Sequence, residues 1–278
     1  MGQNMMIREP AVAGSFYPRT PEDLRKSVEE LLQVKAEALH DVVGMVAPHA
    51  GYMFSGQVAG RVYASIRELQ PEVVVIVGPS HREYFDGICL YEGEAYKTPL
   101  GLVKIDETVR KALLEAGRPI FAGIQGHRSD GEGEHCIEVQ LPFLQLLYET
   151  FTFVPIIMGD QRWAYCEFLA TALANCLRHR KALLIASSDL SHYYSYEVAQ
   201  QLDRQFIELL ERKNPRELAQ ALESSEVEAC GGGPVVAVQL AAQHLGAHQV
   251  QTLLYMNSGD VWVDKTRVVG YLAAVFTR

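Results

Sequence analysis

Cysteine is scarce in this chain: five in 278 residues, at Cys89, Cys136, Cys166, Cys176 and Cys230. None forms a Cys-x-x-Cys pair and the number is odd, which argues against a structural zinc clip and against a secreted disulfide framework. A reducing cytoplasm is the expected location. Basic charge is also short, with 25 Lys and Arg against 34 Asp and Glu for a net charge of −9, and the bases form no run. The electrostatic footprint of a nucleic-acid-binding protein is therefore missing. No apolar stretch approaches the roughly 20 residues that span a bilayer, so no membrane span is expected. The N-terminus has no apolar signal core. Met1-Gly2 opens like an acylation signal, but Met6 stands where Ser or Thr is needed. What is present is an ordinary globular composition, 48% hydrophobic and 21% charged. The chain is long enough to bury about three quarters of its unfolded surface.

Three apolar runs organise it. Residues 42–47 (VVGMVA) read as a strand buried on both faces. Pro48 cannot donate to a ladder and stops that strand, which places His49 just past its carboxyl end. Residues 73–77 (VVVIV) are closed by Gly78-Pro79-Ser80-His81, and residues 182–186 (ALLIA) by Ser187-Ser188-Asp189-Leu190-Ser191-His192. Ligands of open α/β sheets bind at the carboxyl edge of the strands. Three histidines are thus predicted at one such edge.

The remaining segments read as scaffold. Residues 8–18 (REPAVAGSFYP) are punctuated by Pro and Gly, as in an ordered irregular arm. Thr20-Pro21-Glu22-Asp23 starts a helix predicted to run to about residue 39. Ser55 is expected to cap the helix after His49, and Asp106 to cap one ending near residue 116. Short strands are predicted at 87–91 and 102–105. Residues 135–148 have a helical pattern, with Pro142 in the first turn or at a bend. A strand at 151–158 and a helix at 163–177 precede the third apolar run. Helices follow at 196–210 and 215–222, Pro234 opens another, and strands at 250–257 and 268–276 close the chain. No linker or repeat interrupts this alternation, so residues 1–278 read as one α/β domain.

Several residues can carry chemistry. His49 and His81 each follow a buried strand and a Pro; they read as turn or core donors, or as a converging pair of metal ligands. In the SSDLSH segment, Ser and Asp can cap the next helix, or Asp189 can orient His192 for acid–base work. No Gly-x-Ser-x-Gly elbow supports a serine hydrolase. Helical spacing puts His135 and Glu138 on one face, either as a site wall or as an acidic helix start. Cys230 precedes Gly231-Gly232-Gly233-Pro234, where a helix N-terminus favours thiolate; a small buried hydrophobe, or a backbone nest for an anion, fits the same stretch.

Taken together, PAVAGSFYP at 10–18, APHAGYMFSG at 47–56, GPSH at 78–81, GEHCIEVQLPFLQ at 133–145, SSDLSH at 187–192 and CGGGP at 230–234 closely resemble the Memo family. The resemblance runs over nearly the whole chain in the right order. It implies an α/β/α sandwich with a central mixed, mostly parallel sheet, similar to the class III extradiol non-haem iron dioxygenases. Carried over by motif, it implies a metal held by His49, His81 and Cys230, with His192, Asp189 and His135 as acid–base or pocket residues. Fe(II) is the expected ion, with zinc or copper as alternatives, because a thiolate replaces the carboxylate of the dioxygenases. The implied activity is a dioxygenase-like oxidoreductase of unknown substrate. The rival reading is an adaptor module that keeps the pocket for a metal or a peptide, and a zinc hydrolase is a third. Association with AMMECR-type and radical-SAM proteins is implied by the family alone.

Overall fold

The computed structural model describes residues 5–131 and 133–278; the Met1-Gly2 start lies outside them. The chain opens with a two-residue strand, β1 (Ile7–Arg8), and helix α1 (Pro21–Leu32), where Thr20 accepts the N–H of Asp23. Next come β2 (Val42–Ala47), α2 (Tyr52–Ser65) and β3 (Val73–Pro79). Three short strands follow, β4 (Ile88–Tyr91), β5 (Ala95–Thr98) and β6 (Gly101–Lys104). Helix α3 (Glu107–Glu115) is capped by Asp106 and leads to β7 (Ile120–Gly123) and α4 (Leu141–Leu147). The second half holds β8 (Thr152–Met158), α5 (Trp163–Leu177), β9 (Ala182–Ser187) and β10 (Asp189–Tyr194). It ends with α6 (Tyr196–Glu211), α7 (Pro215–Glu223), α8 (Gly232–His244), β11 (Gln249–Asn257) and β12 (Val268–Thr277).

The main sheet is mixed. Its centre is parallel, in the order β2-β9-β3-β8, and its flanks are antiparallel, β12 against β2 and β4 against β8. Every residue of β2 and β3 is buried, as a strand covered on both faces requires. Alternation splits β3 between two cores. Val73, Val75 and Val77 pack with Leu169 of α5 and Val235 of α8, while Val74 and Ile76 pack with Leu24 of α1, Val58 of α2 and Phe143 of α4. The expected α/β/α layering is therefore present. A small second sheet joins β1, β5 and β6. No described helix is long and apolar enough to cross a membrane.

Four local expectations fail. α1 stops at Leu32 rather than near residue 39. Beyond it the chain crosses the end of α2, where the Leu39 N–H bonds the Ser65 carbonyl at 2.8 Å, so a tertiary contact overrides helical composition. α2 begins at Tyr52 behind Gly51, and Ser55 instead donates to the Ala50 carbonyl from within the helix. The SSDLSH segment is not a helix cap: from Asp189 it forms β10, antiparallel to β12. Residues 135–148 are not one helix, since a 3-10 turn, Glu138–Gln140, precedes α4 and Pro142 sits in the first turn. Ahead of that turn the Glu134 carboxylate accepts the N–H groups of His135 and Cys136, as a capping side chain does.

Candidate metal centre

Parallel pairing of β2 with β9 and of β9 with β3 brings three strand ends side by side, with Ala47 opposite Ser187. His49 and His81 leave β2 and β3 at that edge, and His135 approaches from the segment before α4. The His49 and His81 rings lie 5.0 Å apart edge to face, and His81 and His135 stack at 4.8 Å. The His49 and His135 centroids are 5.4 Å apart. Among the described residues, two groups of three have potential ligand atoms within 4.8 Å of one another: His49, His81 and His135, and His81, Glu134 and Cys136.

Glu134 orders one side of this cluster. Its Oε1 lies 2.9 Å from His81 Nδ1, and its Oε2 accepts the His81 backbone N–H at 2.7 Å. An ionised carboxylate only accepts, so His81 Nδ1 is the donor, and in the neutral ring the lone pair lies on Nε2. Burial works against the Glu134 charge, yet the hydrogen bond from His81 and the neighbouring imidazoles hold its carboxyl well below the usual range. On the other side His49 is wholly buried, and that burial, with His81 close by, keeps its imidazole well below its ordinary basicity. Its Nδ1 lies 2.9 Å from Ser187 Oγ. Burial, followed by the nearby His49, likewise lowers His135 to about 3. Neutral imidazoles are the form that binds metals.

Cys230 presents its Sγ 3.1 Å from His49 Nε2, although it belongs to neither group of three. Its backbone is tied to β10, donating to the Asp189 carbonyl at 3.2 Å. A Cβ on Gly231 would meet the Ser187 carbonyl at 2.4 Å, so only glycine lets this turn approach β9 closely enough. The helix start behind Cys230 does not give a thiolate by itself. Burial pushes the thiol upward, and the Asp189 carboxylate adds to the effect. The sulfur therefore reaches thiolate when a cation is beside it.

Asp189 and His192 do not pair as expected. The Asp189 Oδ1 accepts the His49 N–H at 2.8 Å, and its Oδ2 lies 4.0 Å from His49 Nε2. His192 Nδ1 instead donates to the Leu190 carbonyl at 2.8 Å, since irregular pairing between Asp189 and His192 turns the ring back on its own strand. A carbonyl only accepts, so in the neutral ring the lone pair lies on His192 Nε2. Burial raises the Asp189 carboxyl above its ordinary range, with the His49 N–H working the other way. His192 is near enough to act electrostatically on both Asp189 and His49.

The donor set fits a metal ion. Among the described residues His81 Nε2 makes no hydrogen bond and the buried His135 Nδ1, 3.6 Å from Glu134 Oε1, has no hydrogen-bond partner, while a sulfur stands against His49. Buried unpaired polar atoms are rare, and a lone pair reserved for a cation accounts for this one. The carboxylate behind His81 is the outer support usual for metal-bound histidines.

Glu138 is not part of the wall. It points away and accepts from Arg8 Nη1 at 2.7 Å, from the N–H groups of Ala11 and Val12 at 2.8 and 3.0 Å, and from Tyr17 Oη at 2.5 Å. This peg holds the N-terminal arm, which in turn lays Phe16 against His135 at 4.5 Å. Glu134, Ser187 and Phe16 are site neighbours that the sequence does not single out. Glu134 lies inside the GEHC motif, and its place one residue ahead of His135 was the available signal.

The family model described as Memo-like protein matches residues 8–275. A MEMO1 family protein of Methanopyrus kandleri is 38% identical over 286 residues, covering 98% of this chain and 100% of the relative. One from Aquifex aeolicus is 36% identical over 276 residues, at 98% and 100% coverage. The crystal structure of an uncharacterized protein from Escherichia coli K12 superimposes with a TM-score of 0.59 at 14% identity, covering 84% of this chain and 99% of that one. At that identity the likeness shows the fold alone.

Proposed function

Because the chain belongs to the Memo-like protein family, we propose that it is a cytoplasmic metal-binding protein, its ion held by His49, His81 and Cys230. The observation that carries this reading is the convergence of three imidazoles, with ligand nitrogens within 4.8 Å, on an edge where a cysteine sulfur stands 3.1 Å from His49. His135, whose Nδ1 has no partner among the described residues, is a further donor on the same wall. Two nitrogens and a sulfur suit iron, zinc or copper(I), and iron is the ion proposed. When bound, such an ion supplies Lewis acidity or one-electron chemistry. The chemistry we assign is dioxygenase-like, the oxidation of a small substrate by dioxygen.

The chain's own residues have separable tasks in this scheme. His192 Nε2 holds or accepts a proton, since Nδ1 is committed to Leu190. Asp189 fixes the His49 backbone through its N–H. His135 walls the site from the side of the arm. A second reading, a binding module, draws on the exposed Met53, Tyr193, Trp262 and Val263. A contiguous patch of such side chains would mark contact with another molecule. Cooperation with AMMECR-type and radical-SAM proteins belongs to either reading.

The test is metal content in protein purified without air, for wild type and for His49→Ala and His81→Ala. Stoichiometric metal in the wild type, lost in both variants with circular dichroism unchanged, is the expected result. Unchanged metal content in either variant would remove that residue from the ligand set. Oxygen uptake dependent on an added aromatic substrate then separates the oxidoreductase from the binding module.

A further inference from the structure

We propose that Ser187 is a positioning residue that sets the tautomer of His49, holding the proton on Nδ1 so that Nε2 is presented bare to the metal. The argument is a count of donors and acceptors in a cluster shut off from water: Ser187 is fully buried, and Gln140 and His49 are each 1% exposed.

The count starts at Pro48, whose carbonyl can only accept. Gln140 Nε2 lies 3.0 Å from it, so that amide atom is the NH2 group and not the oxygen. The amide oxygen then faces Tyr63 Oη at 2.8 Å and accepts from it. The second amide hydrogen points to Ser187 Oγ at 2.8 Å. Ser187 also lies 2.5 Å from the Cys136 carbonyl, another pure acceptor, and its single hydroxyl hydrogen is spent there. Nothing is left for Ser187 to donate to His49 Nδ1, 2.9 Å away. That contact is a hydrogen bond only if Nδ1 is the donor.

The same residues thus fix both ends of the ligand. Gln140 holds the Pro48 carbonyl one residue before His49, and Ser187 holds the ring. The reverse tautomer would set two acceptors, His49 Nδ1 and Ser187 Oγ, face to face in a dry interior. Ser187 is the last residue of β9, so the end of that strand governs His49, two residues past the end of the neighbouring β2.

The consequence for metal affinity rests on the proposed metal reading, whereas the tautomer does not. Long-range ¹H–¹⁵N correlation spectra of the metal-free protein, recorded with neutral imidazoles, should show His49 with a pyrrole-type Nδ1 and a pyridine-type Nε2. In Ser187→Ala the preference should be lost, and Co(II) affinity, measured against a competing chelator, should fall about 10–100-fold, the range for an outer-shell partner. Ser187→Thr keeps the oxygen and should restore the wild-type pattern. A pyridine-type Nδ1 in the wild type overturns the proposal without any variant. An unchanged tautomer and unchanged affinity in Ser187→Ala overturn it equally. If the wild type has the expected tautomer but binds no Co(II), the metal reading fails while the role of Ser187 stands.

Discussion

Replacing Glu138 by Gln should destabilise the protein far more than its conservative shape suggests. The Arg8 and Glu138 side chains are 2% and 0% exposed, and the Glu138 carboxylate receives four donors, from Arg8, Ala11, Val12 and Tyr17. Glutamine offers one oxygen in place of two and turns an NH2 group towards groups that are themselves donors. It also leaves the Arg8 guanidinium buried without its counter-charge. Removing one partner of a buried ion pair costs about 3–5 kcal/mol, a large share of a total stability of about 5–15 kcal/mol. The expected result in urea is a loss of that size, with the slope unchanged.

The loss should extend to the metal centre. Arg8 also donates from Nε to the His127 carbonyl at 2.8 Å and from Nη2 to the Glu134 carbonyl, so it grips both ends of the segment that delivers Glu134 and His135. A double variant, Arg8→Met with Glu138→Leu, removes both charges and should recover much of the stability, because neither ion is left unpaired. A loss below about 1 kcal/mol for Glu138→Gln, the size found for exposed pairs, would refute the reasoning. It would mean that water reaches this peg and that the arm is held by something else.

Alkylation of the metal-free protein should modify Cys176 before Cys230. Cys176 is half-buried and its thiol is pushed only to about 11, whereas burial raises Cys89 and Cys166 to about 12 and drives Cys230 higher still. Mass spectrometry after brief iodoacetamide treatment reads the order, and Cys230 reacting first would show that the helix start outweighs burial. Stability should also fall with acid through His127. Burial lowers this imidazole from 6.5 to about 3, while Tyr96 Oη and the Cys89 carbonyl occupy its two nitrogens at 2.5 and 3.1 Å. Its contribution is complete above pH 6.5 and is lost as pH falls towards 3, at up to about 1.4 kcal/mol per pH unit. Urea unfolding at pH 7 and pH 5 should show a slope of at least this size, to which the lowered His49 and His135 also contribute, and His127→Gln should reduce it; equal slopes would place the acid sensitivity elsewhere.

How far the site could be read from sequence depends on which level of structure each residue obeys. His49, His81 and His192 were found because burial on both faces makes a strand apolar throughout, and a Pro or a Ser-Asp cluster marks where it ends. Local composition decides that much. Parallel pairing of β2, β9 and β3 then places the ends together. α1 was read too long because its limit is set by a bond to the end of α2, a contact with no local signature. The relation between Asp189 and His192 was misread for a similar reason, since it follows from irregular pairing with β12 far along the chain.

The segment from Glu134 to Glu138 shows where periodicity misleads. On a continuous helix His135 and Glu138 would share a face, and the pattern offered no reason to separate them. Glu134, one residue earlier, takes the N–H groups that a helix start leaves free and holds His81 as well. Two carboxylates four residues apart are thereby sent in opposite directions, one to the histidines and one to the arm. A signal for the second was nevertheless present. Glu138 stands in an otherwise apolar run, Cys136-Ile137-Glu138-Val139, where a charge survives only with a buried partner of opposite sign. The arm over residues 8–18 contains a single basic residue, Arg8. A lone carboxylate inside one apolar segment and a lone guanidinium beside another require each other, and their pairing brings Phe16 to His135 as a consequence of the arm's short length.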